Sequence, residues 1–223
     1  MNRDVSGLRE RKKERTRATL IDVAARLCVE RGYDNTTVEQ IAAEADVSPR
    51  TFNRYFPNKE AVVVAVVADV ADGVAAALAR QPLDITEHEA LARASVETFR
   101  GGPGARPDPV AFDRMKLMLR ILGTAPAIGL SAFSYRPEGP QHAVFAAMAR
   151  RMGVPVTHPA LRILFDTWSV LMGTACAGLG APGAPPIEAD VLCERIESTY
   201  TLFARLWRPW QTPGQTHASE SAE

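Results

Sequence analysis

Apolar residues in this chain recur at spacings of three and four, and the sustained apolar/polar alternation that marks a strand is missing. That rhythm gives each segment one apolar stripe at helical pitch and points to an all-α fold of about nine helices. The 223 residues are 46% hydrophobic, and 26 Lys and Arg balance 26 Asp and Glu, which fits one or two packed domains and excludes a disordered chain. The longest apolar stretch, Ala61 to Ala68, is cut by Asp69 and Asp72, short of the roughly 18 to 20 residues that cross a bilayer, so no membrane partner is expected. The opening MNRDVSGLRERKKER lacks the apolar segment of a secretory signal. Cys28, Cys176 and Cys193 are odd in number, widely spaced and free of any C-x-x-C. Neither a disulfide framework nor a metal site follows, and a cytoplasmic location is the simplest expectation.

Punctuation places the helices. The first is expected over about Leu8 to Arg31, stopped by Gly32. Thr36 with Glu39, or Thr37 with Gln40, makes a capping box for a short helix over about Val38 to Ala45. Ser48 followed by Pro49 opens a third helix to Tyr55, and Asn58 caps a fourth over about Lys59 to Arg80. Further helices are expected over about Asp84 to Arg100, Pro109 to Thr124, a proline-interrupted stretch from Pro126 to Met152, Pro159 to Leu179 and Glu188 to Trp207. The implied organisation is an N-terminal DNA-binding unit over 1–58, a helical unit over 59–210 and a disordered tail over 211–223.

Two short helices joined by a tight turn form a helix-turn-helix, in which the second helix enters the major groove. Phe52 and Phe56, four apart, would seat it, leaving Arg50, Thr51, Asn53 and Arg54 outward as base-reading residues. Arginine can grip guanine, asparagine can pair with adenine, and a threonine methyl can meet a thymine methyl. The first 20 residues hold Arg3, Arg9, Arg11, Lys12, Lys13, Arg15 and Arg17 against Asp4, Glu10 and Glu14. Such a basic arm suits a phosphate backbone, with Arg11, Lys12, Lys13 and Arg15 as its contacts.

The stretch from Gly32 to Val62, GYDNTTVEQIAAEADVSPRTFNRYFPNKEAV, resembles the DNA-binding signature of the tetracycline-repressor (TetR) family of bacterial transcription regulators. The likeness lies at Gly32, Tyr33, Thr36 to Val38, Ile41, Ala42, Ala45, Val47, Ser48, Thr51, Phe52, Tyr55, Phe56, Asn58 and Lys59. Arg50 and Asn53 stand where the family pattern often has glycine and tyrosine, which changes the reading face. The resemblance implies phosphate contacts from Lys59 and Tyr55, and from Thr36, Thr37 and Ser48 at helix starts. It also implies a homodimer on double-stranded operator DNA, with a second domain that holds a small-molecule pocket and pairs through its last two helices.

This sequence can supply both features. Leu161, Leu164 and Phe165 on the penultimate helix, with Leu192, Ile196, Tyr200 and Phe203 on the last, form stripes that would pair across a dimer as a four-helix bundle. Phe112, Met115, Met118, Leu119 and Leu122, with Phe133, Tyr135, Phe145, Trp168 and Met172, would wall a pocket for a lipophilic effector. Arg114, Arg120, His142 and Asp166 are polar candidates for orienting that ligand. No nucleophile elbow, phosphate-binding glycine loop or paired histidine motif points to an enzyme or to a cofactor. The reading is a ligand-responsive transcriptional repressor; the alternatives are a DNA-binding regulator without an effector and a helical lipid or small-molecule carrier.

Overall fold

The computed structural model describes residues 3–125 and 142–206, with side chains from residue 11 onward. All elements in these residues are helical: α1 (Arg3–Arg31), α2 (Val38–Glu44), α3 (Pro49–Tyr55), α4 (Lys59–Val64), a 3₁₀ turn (Ala65–Val67), α5 (Ala68–Leu78), α6 (Glu87–Arg100), α7 (Pro109–Gly123), α8 (His142–Met152), α9 (Pro159–Cys176) and α10 (Ala189–Leu206). The expected proline break within Pro126 to Met152, the pocket candidates Phe133 and Tyr135, and the tail over 211–223 lie outside the described residues.

Local chemistry fixes most boundaries. Thr37 Oγ1 accepts from Gln40 N–H at 3.2 Å while Gln40 Oε1 accepts from Thr37 N–H at 3.0 Å, so Thr37 with Gln40 is the capping box. Asn58 Oδ1 accepts from Ala61 N–H at 2.8 Å to start α4, and Asp108 Oδ1 does the same for Ala111 N–H at 3.0 Å on α7. At the end of α2, Asp46 N–H donates to Ala43 O at 3.1 Å and Val47 N–H to Ala42 O at 2.9 Å. Asp46 sits there at φ 54°, the left-handed residue that closes a Schellman motif and reverses the chain into α3.

Two expectations change. The expected arm is helix: α1 begins at Arg3, ahead of Leu8. The expected single helix from Lys59 is broken by the 3₁₀ turn, where Val62, Val63, Val64, Val66 and Val67 crowd β-branched side chains into a buried run. Lys59–Leu78 is nonetheless 20 residues long and apolar enough to cross a bilayer by length and composition, contrary to the sequence expectation. Most of it is buried inside the protein, as befits a core helix. α5 packs against α6, α7 and α8, and α10 against α6 and α9. One continuous buried cluster runs from Leu20 of α1 to Ile196 of α10, so the start of α4 marks no gap in the core.

Candidate nucleic-acid interface

The sequence of α3 and its C-cap turns Phe52 and Phe56 inward and the polar residues outward. Phe52 is fully buried and Phe56 nearly so, with ring centroids 5.8 Å apart, and the Arg17 guanidinium lies 5.2 Å from the Phe56 centroid. Ser48 Oγ accepts from Thr51 N–H at 3.1 Å, and the two hydroxyl oxygens are 3.0 Å apart. Arg50, Asn53 and Arg54 are exposed and Thr51 is half-buried. The Arg54 guanidinium sits 5.3 Å from the Tyr55 ring centroid, which restrains it on the outer face. Lys12, Lys13 and Thr16 of α1 share a groove with Val47, Thr51, Arg54 and Tyr55. The exposed basic residues Arg11, Lys12, Lys13 and Arg15 therefore extend along a helix, and two of them stand beside α3.

Two expected phosphate contacts bond within the chain. Thr36 is 1% exposed, and its hydroxyl donates to Gly32 O at 2.9 Å, closing the end of α1 where no phosphate reaches. Thr37 and Ser48 remain exposed at their caps. Lys59 Nζ donates to Tyr33 O at 2.6 Å and lies 3.8 Å from the Tyr33 ring centroid, so its ammonium staples α4 to the loop after α1. A carbonyl and an aromatic face together hold that charge more closely than open solvent would.

Residues 20–66 match the family described as bacterial regulatory proteins, tetR family. Over those residues the chain is similar to the TetR family. It is 34% identical over 151 residues to the HTH-type transcriptional regulator TcmR of Streptomyces glaucescens, and the match spans 66% of this chain and 65% of that protein, less than two thirds of the relative's length. It is 38% identical over 48 residues to the uncharacterized HTH-type transcriptional regulator YuxN of Bacillus subtilis, covering 22% of this chain and 16% of that protein. Among solved structures it is similar to Thermus thermophilus FadR, a TetR-family transcriptional repressor in complex with lauroyl-CoA, at 22% identity and a TM-score of 0.47, covering 90% of this chain and 100% of that one. A TM-score this low says nothing of what the present chain binds.

Two polar links join the N-terminal helices to the helices behind them. Arg114 of α7 reaches Asp22 of α1 at 2.9 Å and Asp69 of α5 at 3.1 Å. Burial opposes the charge on Arg114, but the two carboxylates overcome it and raise the guanidinium pKa. Arg114 is thus a junction residue. Asp166, another ligand-orienting candidate, pairs with Arg162 at 3.4 Å, both ends largely exposed. The second link runs through Tyr33, whose N–H donates to Thr124 Oγ1 at 3.3 Å while its carbonyl accepts a hydrogen bond from Lys59 Nζ.

Behind Arg114 lies an apolar cavity of about 70 Å³ among α5 to α9. Of the expected pocket residues, Met115, Phe145, Trp168 and Met172 line it. Met118 and Leu119 are core residues, Leu122 is half-buried away from the cavity, and Phe112 faces a separate open cleft between α7 and the loop at 180–188. Sequence reasoning missed Val67 at the end of the 3₁₀ turn and Val70, Ala71 and Val74 on α5, whose three-four spacing is legible, and Ser95, a polar residue between Leu91 and Phe99 in an apolar stripe.

The expected dimer stripe is mostly internal. Leu161, Leu164, Phe165, Leu192 and Ile196 are buried within the chain, Phe165 lines the cavity, and Tyr200 and Phe203 are half-buried. These residues seat α9 and α10 on the core. The outer face of the same helices instead exposes Ile163, Val170, Leu202 and Leu206. All three cysteines are buried free thiols, and burial pushes Cys176 up to about 12 and Cys193 up to about 11. Among the described residues no group of three or more His, Cys, Asp or Glu is placed to hold a metal ion.

Proposed function

We propose that this protein is a sequence-specific, DNA-binding transcriptional regulator of the cytoplasm, acting as a homodimeric repressor released from its operator by a small lipophilic effector. The observation that carries the DNA-binding part is the exposed polar face of α3, flanked by Lys12 and Lys13 of α1. Arg50, Thr51, Asn53 and Arg54 read bases, while Lys12, Lys13, Arg11 and Arg15, with Thr37, Ser48 and Tyr55, meet the backbone. Dimerisation uses Ile163, Val170, Leu202 and Leu206, because exposed apolar side chains on adjacent helices gain most from a second copy. Such pairing would present two α3 helices to half-sites about 34 Å apart.

Release works through differential affinity, since an effector shifts an equilibrium only by binding the DNA-incompetent form more tightly. A ligand between α5 and α7 pushes on both helices that Arg114 ties to α1. Effector and operator then weaken one another reciprocally.

The test is a fluorescence-anisotropy titration with DNA from upstream of the gene and with a scrambled duplex, at several salt concentrations. Selective binding with a steep salt slope is the expected result. Equal affinity for both duplexes at every salt concentration would sink the operator reading. A second reading, a regulator with no effector, is favoured by the cavity's small volume and predicts that no occupying ligand changes the operator Kd.

A further inference from the structure

Among the described residues, the cavity between α5 and α9 is walled almost wholly by carbon and sulfur, with one hydroxyl. Ser95 of α6 is 4% exposed and lines the cavity, and its hydroxyl has no hydrogen-bond partner among the described residues. Other buried hydroxyls in this molecule return to their own helix: Thr98 donates to Ala94 O at 2.8 Å and Ser169 to Phe165 O at 2.7 Å. The Ser95 hydroxyl thus keeps its donor and acceptor capacity for what enters the cavity.

We infer that the cavity takes a neutral, chiefly aromatic ligand of about one ring, bearing one hydroxyl or carbonyl oxygen that hydrogen-bonds Ser95. This deepens the effector reading above and rests on it. Neutrality follows because no charged side chain among the described residues lines the cavity to compensate a buried ion. Aromatic character follows from the wall, where Phe145 and Phe165 meet edge to face at 4.4 Å beside Trp168 and Phe99. The 70 Å³ of free volume, less than the roughly 150 Å³ that admits benzene to an engineered apolar cavity, makes one ring the upper bound and requires the walls to give. One ring enters by rotation of the flexible Met115 and Met172 side chains, whereas a larger ligand must part the helices.

The test is calorimetric titration of the full chain with phenol, toluene and benzoate, on the wild type and on Ser95→Ala. Phenol should bind saturably, toluene roughly three- to tenfold more weakly, and benzoate not at all. In Ser95→Ala the advantage of phenol over toluene should vanish, and the melting temperature should hold or rise, because an unpartnered hydroxyl has been removed. Absence of phenol binding, equal wild-type affinities for phenol and toluene, or a phenol preference that survives Ser95→Ala would each overturn the inference. Operator affinity measured with saturating phenol separates this from the effector reading. Serine-dependent binding that leaves operator affinity unchanged upholds the site and rejects the effector role.

Discussion

At the scale of single residues, the division between reading bases and holding phosphates should appear in mutant behaviour. Arg54 is exposed on α3 and restrained by the Tyr55 ring, while Lys12 stands on α1 across the same groove. Arg54→Ala is expected to relax specificity at one base pair by about 1–3 kcal/mol. Lys12→Ala should weaken binding to every duplex alike and reduce the salt slope by about one. Anisotropy on a set of single-base operator variants checks both, and uniform weakening by Arg54→Ala would reassign it to the backbone. His88 gives a pH dependence. Its Nε2 lies 2.8 Å from Thr167 Oγ1 and its ring 4.8 Å from the Phe203 centroid, and burial lowers its pKa against the opposing pull of Glu87. Because the folded pKa lies below the ordinary 6.5, the unfolded chain takes up the proton first as pH falls. The native state is therefore favoured above that value and loses stability below it. Urea unfolding at about pH 7.5 and about pH 5.5 should show a smaller acid loss in His88→Phe than in the wild type.

At the scale of elements, the loop between α9 and α10 is held against α7 by two glycines. A Cβ on Gly123 would stand 2.3 Å from Gly180 O, and one on Gly180, at φ 76°, would stand 2.5 Å from Leu119 O. Both obstacles are backbone, which cannot swing aside as a side chain can. Gly123→Ala should therefore cost about 1–3 kcal/mol, read as a lower urea midpoint with unchanged slope. A wild-type midpoint would mean the loop moves freely off α7.

At the scale of the whole molecule, the question is how a cavity behind α5 is felt at α3. Arg114 joins α7 and α5 to α1, and its neighbour Met115 lines the cavity. Arg114→Met removes both ion pairs while keeping the apolar stem. It is expected to shrink the factor by which an occupying ligand changes operator affinity, by about 1–3 kcal/mol of coupling, with ligand affinity itself little altered. Titrating operator with and without ligand measures this. Undiminished coupling would place the linkage at Tyr33, which touches Lys59 and Thr124 instead.

Helix existence, a capping box at one of two registers before α2, the Ser48-Pro49 start and the inward Phe52 and Phe56 were all legible in the sequence. Each depends on partners three or four residues apart, and that spacing is written along the chain. What could not be read is which side of a two-faced helix meets the core. Leu161 and Ile163 lie on one helix and are equally apolar, yet one is buried and the other is 64% exposed, a choice made only when α9 meets its neighbours. Phe165 went to the cavity, Thr36 to the end of α1, Lys59 to Tyr33 and Arg114 to the junction for the same reason. The sequence by itself determined the elements and the outward face of α3, because those follow from short-range geometry. Only the tertiary structure decided the cavity, the place of the Ser95 hydroxyl in it and the exposed apolar face, because these arise where residues distant in the chain compete for the same space.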